Sequence, residues 1–207
     1  KGEYGKAGSR LDQLLKNTDS QGEWKRFRKL VEQTAKATEG YDKYTSDGGR
    51  FEFYVEPGSG DQVLVPYAAE ALEKAYDAIG EELGYKPETP IRVEVYPRTS
   101  TLAQVSGLTD KEIRQSGTIA LCKYNRLMIT SPSALMRGYS WVDTLIHEYI
   151  HFVINKKTEN RVPIWMHEGL AKYLEKRWRG PDAHYLPPST ERILKKRVEA
   201  NDLTFEC

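Results

Sequence analysis

The sequence predicts an α+β fold in which a small mixed β-sheet packs on the helix that carries the chain's chemistry. Two observations point there. Short runs of alternating apolar and polar residues, the mark of half-buried strands, stand at Arg50–Glu56 and Ile91–Tyr96, with two more strand-like runs at Gly117–Cys122 and Leu127–Thr130. A stretch that begins near Ser140 carries Val142, Leu145, Ile146, Ile150, Phe152 and Val153, the apolar content of a buried helix. The order is strand, helix, strand, hairpin, helix, helix.

Taken from the N-terminus, residues 1–9 (KGEYGKAGS) are rich in Gly and Lys and read as unstructured. Leu11, Leu14 and Leu15, then Trp24, Phe27, Leu30 and Val31, recur at helical spacing across a polar break at Asn17–Gly22. They predict two helices of an arm or linker over residues 1–43 that packs on a main domain of residues 44–207. Within that domain Phe51, Phe53 and Val55 alternate with Glu52, Tyr54 and Glu56, and Pro57-Gly58-Ser59-Gly60 ends the strand. A helix over Pro66–Leu83 places Ala68, Leu72, Ala75, Tyr76, Ile79 and Leu83 on one face, with Gly84 as its C-cap. Ile91, Val93 and Val95 form the next strand, which Pro97 stops, and Thr109 with Glu112 forms a capping box for a short helix. Residues Lys123–Arg126 turn between the last two strands, Ser131-Pro132 breaks the run, and Pro163 can open a further helix. After Gly180-Pro181, a loop with His184 and Tyr185 leads to a basic helix at about Thr190–Ala200, read as a solvated face.

Composition narrows the partners. At 207 residues the chain has enough length for one domain with a real core, and 39% hydrophobic with 29% charged residues is ordinary for a globular protein. A formal charge of +1 gives no electrostatic reason to expect nucleic acid or an anionic membrane. No run of eighteen apolar residues exists, so no membrane span is predicted. No signal peptide is visible, but the chain starts at Lys1 and not Met, which leaves export open. Cys122 and Cys207 do not make a disulfide framework.

The chemistry concentrates in His147-Glu148-Tyr149-Ile150-His151, an H-E-x-x-H run. Positions i and i+4 share one helix face, so both imidazoles can aim at one point, as a divalent zinc ion requires. Glu148 lies about 100° around the helix from His147, off the metal but within reach of a water beside it, where a general base belongs. Alone, such a His pair is more often a packed or exposed couple. A second segment changes that: Glu168 follows His151 after a short loop and adds a carboxylate from a second helix, making a two-His-one-Glu set with one position left for water.

His147 to His151 followed by Pro163-Ile164-Trp165-Met166-His167-Glu168-Gly169-Leu170-Ala171 resembles the gluzincin metallopeptidases, most closely the bacterial peptidase MA-like domains. The resemblance is strongest over Trp141–Glu175 and extends by order of elements back to about Tyr44. It implies a zincin-like metallopeptidase domain over residues 44–207, a peptide or protein substrate, and one zinc per chain. His147, His151 and Glu168 would be its ligands and Glu148 the base. It also leans toward a secreted or periplasmic setting. Two departures stand out: the chain ends soon after the second helix, and Lys172 occupies the place where some gluzincins carry an Asp that holds a ligand His.

Other residues are read with their alternatives. Tyr185 and His184 could supply the donor that faces the oxyanion, typically worth about 3 kcal/mol; a surface aromatic is the other reading of Tyr185. Asp143, one turn before His147, could accept from a ligand His, or serve only as an acid at a helix start. His167 reads as a cleft-wall or surface residue, Trp165 and Trp141 as core, Tyr173 as packing, and Gly169 as allowing close helix approach. In the gluzincin scheme Gly117, Thr118, Ile119, Ala120 and Leu121, on to Cys122, form the exposed edge strand beside the cleft, where an extended substrate can add as a strand. Alternatives to a peptidase are a catalytically silent zincin-like binding module, a zinc hydrolase with a non-peptide substrate, and a structural domain whose H-E-x-x-H is coincidental.

Overall fold

The computed structural model describes residues 4–15, 21–87, 90–180 and 188–202. Five strands form one open mixed sheet: β1 (Asp42–Thr45), β2 (Phe51–Val55), β3 (Ile91–Tyr96), β4 (Ala120–Lys123) and β5 (Arg126–Thr130). Their spatial order is β1-β2-β3-β5-β4, parallel at β2/β3 and β3/β5 and antiparallel at both edges. The described residues also hold eight α-helices: α1 (Tyr4–Leu15), α2 (Gln21–Ala37), α3 (Val65–Leu83), α4 (Thr99–Ser106), α5 (Asp110–Ser116), α6 (Trp141–Thr158), α7 (Ile164–Leu174) and α8 (Pro188–Glu199). The α+β class expected from the sequence is therefore met. No helix among the described residues is long and apolar enough to cross a membrane.

Strand alternation sorts the core into two layers. Phe51, Phe53, Val55, Ile91, Val93, Val95, Leu127 and Ile129 point to one face, where they meet α3 and α6. The opposite face carries Tyr96 and Met128 against Leu102, Ala103 and Val105 of α4. Helix α6 lies deepest, burying Leu145, Ile146, Tyr149, Ile150, His151, Phe152, Val153 and Ile154. Each large apolar side chain removed from water contributes about 1.5–3 kcal/mol, so this helix holds its place firmly.

The last strand pair is shifted from the expected bounds. Gly117 is the left-handed cap of α5, at φ 67°, and its N–H donates to Ile113 C=O, so β4 starts at Ala120 and runs to Lys123. Tyr124 and Asn125, at φ 55° and 61°, make a two-residue turn that closes the β4/β5 hairpin. Paired left-handed residues are the type I′ geometry whose twist suits a hairpin. Thr130 N–H donates to Ile119 C=O at 2.8 Å, which marks that pair as hydrogen-bonded. Ladder alternation then turns the N–H and C=O of Ala120 and Cys122 away from β5, toward the open edge.

The N-terminal stretch is more ordered than its composition suggests, with helix from Tyr4 onward. The reason is long-range. The Tyr4 hydroxyl donates to Glu94, a fully buried carboxylate on β3 that also accepts from Arg92 and Tyr96, and from Arg126 at 2.7 Å. Arg126 in turn donates to Val105 C=O at 2.9 Å. The arm thus docks in part through a polar cluster on the sheet face away from α6. Removing one member of a buried ion pair leaves the other uncompensated, at a cost of about 3–5 kcal/mol. Glu94→Ala should lower the unfolding free energy by about that much in urea titration. A loss below about 1 kcal/mol would show that Arg126 is satisfied without it.

Candidate metal centre

Helix α6 turns its apolar residues to the sheet and α3, which leaves His147 and His151, one turn apart, beside α7. At the C-terminal end of α6, Glu159 and Asn160 adopt left-handed φ of 53° and 59°, and Pro163 then caps α7. Helix α7 seats Ala171 and Leu174 in the core and brings Glu168 over the two imidazoles.

His147 Nε2 lies 3.4 Å from Glu168 Oε2, and His151 Nε2 lies 3.6 Å from Glu168 Oε1. The rings meet edge to face with centroids 4.7 Å apart. Ligand atoms bound to one four-coordinate ion at about 2.0–2.2 Å stand roughly 3.3–3.6 Å apart, and both separations agree with that spacing. The far nitrogens are held from behind. His147 Nδ1 is 3.1 Å from Glu175 Oε2, and Lys172 Nζ donates to Glu175 Oε1 at 2.8 Å. His151 Nδ1 is 2.5 Å from His167 Nδ1, the two rings meeting edge to edge with centroids 4.6 Å apart, and His167 Nε2 is 2.8 Å from Asn155 Oδ1. A proton on each Nδ1 leaves each Nε2 lone pair pointing at the space before Glu168.

His147, Glu148 and His151 can also bring one ligand atom each within 4.8 Å of one another. Two carboxylates therefore flank the imidazoles, in different settings. Glu168 is largely exposed and spans both Nε2 atoms, as a third ligand would. Glu148 faces β4 near the Cys122 N–H; burial lifts its pKa to about 7, against the pull of His147 and of that N–H. Burial and the adjacent His147 push His151 down to about 4. For His147 burial acts the same way, but the hydrogen bond to Glu175 and the nearby carboxylates outweigh it and its pKa rises. Burial likewise works against the Glu175 carboxylate, yet the hydrogen bonds from His147 and Lys172 keep its pKa low. A bound cation would add positive charge at this point and hold both imidazoles neutral.

The structure brings His147, Glu148, His151 and Glu168 together and sends Asp143 elsewhere. Asp143 pairs with Arg179 at 2.5 Å, and the carboxylate behind His147 is Glu175. Tyr185 and His184 lie outside the described residues. Ala120, Leu121 and Cys122 are in β4 beside α6, whereas Gly117, Thr118 and Ile119 precede the strand. Trp165 is 60% exposed, not core, and a Cβ on Gly169 would meet nothing within 4 Å, so close helix approach does not explain that glycine. Glu175 and His167 escape a reading by local spacing because their partners sit 28 and 16 residues away. The helical stripe His167, Ala171, Leu174, Glu175 was the available signal. No family model, curated protein or solved structure matches the chain.

Proposed function

We propose that the chain is a zinc-dependent metallopeptidase of the gluzincin type, hydrolysing peptide bonds with one zinc held by His147, His151 and Glu168. The observation that carries this reading is the aim of both Nε2 atoms at one carboxylate while both Nδ1 atoms are held from behind. A mixed sheet with β4 as an edge strand beside the H-E-x-x-H helix suits a zincin-like catalytic fold.

When bound, zinc supplies Lewis acidity and makes water nucleophilic near neutral pH. Glu148 takes a proton from the attacking water and gives it to the leaving amine nitrogen. Glu148 projects from α6 toward β4, near the Cys122 N–H, off the face that carries the two imidazoles, which supports the base role. Glu175 keeps His147 turned to the ion. The outward N–H and C=O of Ala120 offer main-chain pairing to an extended peptide. A main-chain edge recognises a peptide backbone without demanding particular side chains, which favours a peptide over a non-peptide substrate.

Purified protein should contain about one zinc per chain, and His151→Ala should lose most of it in elemental analysis. Stoichiometric zinc in that variant would mean the ligands are elsewhere.

Glu148→Gln keeps the side chain's shape and removes the proton acceptor. It should retain zinc and lose hydrolysis of a peptide library by at least about a hundredfold. Undiminished turnover would remove Glu148 from the mechanism.

Ala120→Pro deletes an outward donor on β4. On a short peptide, kcat/KM should fall at least about tenfold at unchanged zinc content. Parent-level cleavage by a folded, zinc-loaded variant would rule out strand addition.

A further inference from the structure

We infer that His167 is a positioning residue for His151, holding its imidazole in the tautomer that turns Nε2 to the ion, with Asn155 fixing His167 in turn. The inference rests on the zinc reading above and extends it to two residues outside the ligand set. His151 is buried, so its Nδ1 needs a protein partner, and the atom that meets it is His167 Nδ1 at 2.5 Å. Two imidazole nitrogens share one proton in a hydrogen bond, so one donates and the other accepts. If His151 is to offer Nε2 as a lone pair, its Nδ1 carries the proton and donates. His167 Nδ1 must then accept, which places the His167 proton on Nε2. That nitrogen lies 2.8 Å from the Oδ1 of Asn155, an acceptor. The Asn155 amide nitrogen remains free to donate, and it lies near the Cys122 thiol on β4. One orientation satisfies both imidazoles and the Asn155 oxygen.

The arrangement also explains why this acceptor is an imidazole on α7. His167 meets His151 edge to edge, with centroids 4.6 Å apart and planes within 27° of each other, so the hydrogen bond lies close to both ring planes and orients the His151 ring as well as its proton. A water could accept the proton but could not restrain the ring.

The test compares parent, His167→Leu and His167→Asn. Asn carries its amide oxygen at the same bond separation from Cα as Nδ1, so it can accept the same proton; Leu fills similar space and cannot. Metal-free protein is titrated with zinc against a competing chelator, and His151 tautomers are read by nitrogen-15 NMR before zinc is added. His167→Leu should weaken zinc binding about 10- to 100-fold and shift the His151 proton away from Nδ1. His167→Asn should stay within about threefold of the parent and keep the parent tautomer. If the parent binds zinc and His167→Leu binds it within about twofold, the positioning role is overturned. If the parent binds none, the peptidase reading fails separately, and an unchanged His151 tautomer in His167→Leu would overturn this inference as well.

Discussion

An imidazole offers a directed lone pair only while its proton is fixed on the other nitrogen and its ring cannot turn. Two such rings one helical turn apart need two restraints, and here both come from α7 and its C-cap. Glu175 holds His147 and His167 holds His151, while Glu168 on the same helix faces the two free nitrogens. His167, Ala171, Leu174 and Glu175 follow the i, i+4, i+7, i+8 stripe by which a helix meets its neighbour. The two apolar members are buried, so the packing that seats α7 on α6 also sets the polar contacts. Site and core are one interface, and a shift of α7 along α6 would move Glu168 and both restraints together.

The sheet separates two chemistries. Its α6 face is apolar, whereas the other face buries a carboxylate, an arginine and tyrosine hydroxyls around Glu94. Taking such charges from water costs several kcal/mol per ion, and good geometry is needed merely to offset it. Glu94 has that geometry, with partners drawn from β3, β5 and α1. The cluster therefore does less to raise stability than to specify where the arm sits, since only one placement of Tyr4 completes it.

Legibility in the sequence followed distance along the chain. Strand alternation, the cap at Gly84, the Thr109–Glu112 capping box and the i, i+4 histidines are all local and were readable. Gly117 was ambiguous because a helix cap and a strand start look alike when they abut. The helix at Tyr4 was missed because its anchor, Glu94, is 90 residues away. Asp143 had the right spacing to reach His147, but Arg179 claims it from beyond α7. Lys172 stands one turn after Glu168, and Glu175, three residues further, supplies the carboxylate behind His147 while Lys172 steadies that carboxylate. Spacing alone could not forecast that pairing, because it depends on how α7 ends.

The open edge depends on the hairpin turn. A slip of one residue in the β4/β5 register would exchange inward and outward backbone groups along β4 and close the Ala120 position. The two-residue turn prevents that slip, although it requires Tyr124, a residue with a β-carbon, to take a left-handed conformation costing roughly 1–2 kcal/mol. Contacts from elsewhere offset this. Phe27 of α2 lies 5.6 Å from the Tyr124 ring, and Lys123 Nζ donates to Ser106 C=O at 3.2 Å. The arm that docks behind the sheet thus also braces the turn that sets the edge register. Through it, a helix pair remote from the imidazoles helps decide which backbone groups stand free beside Glu148.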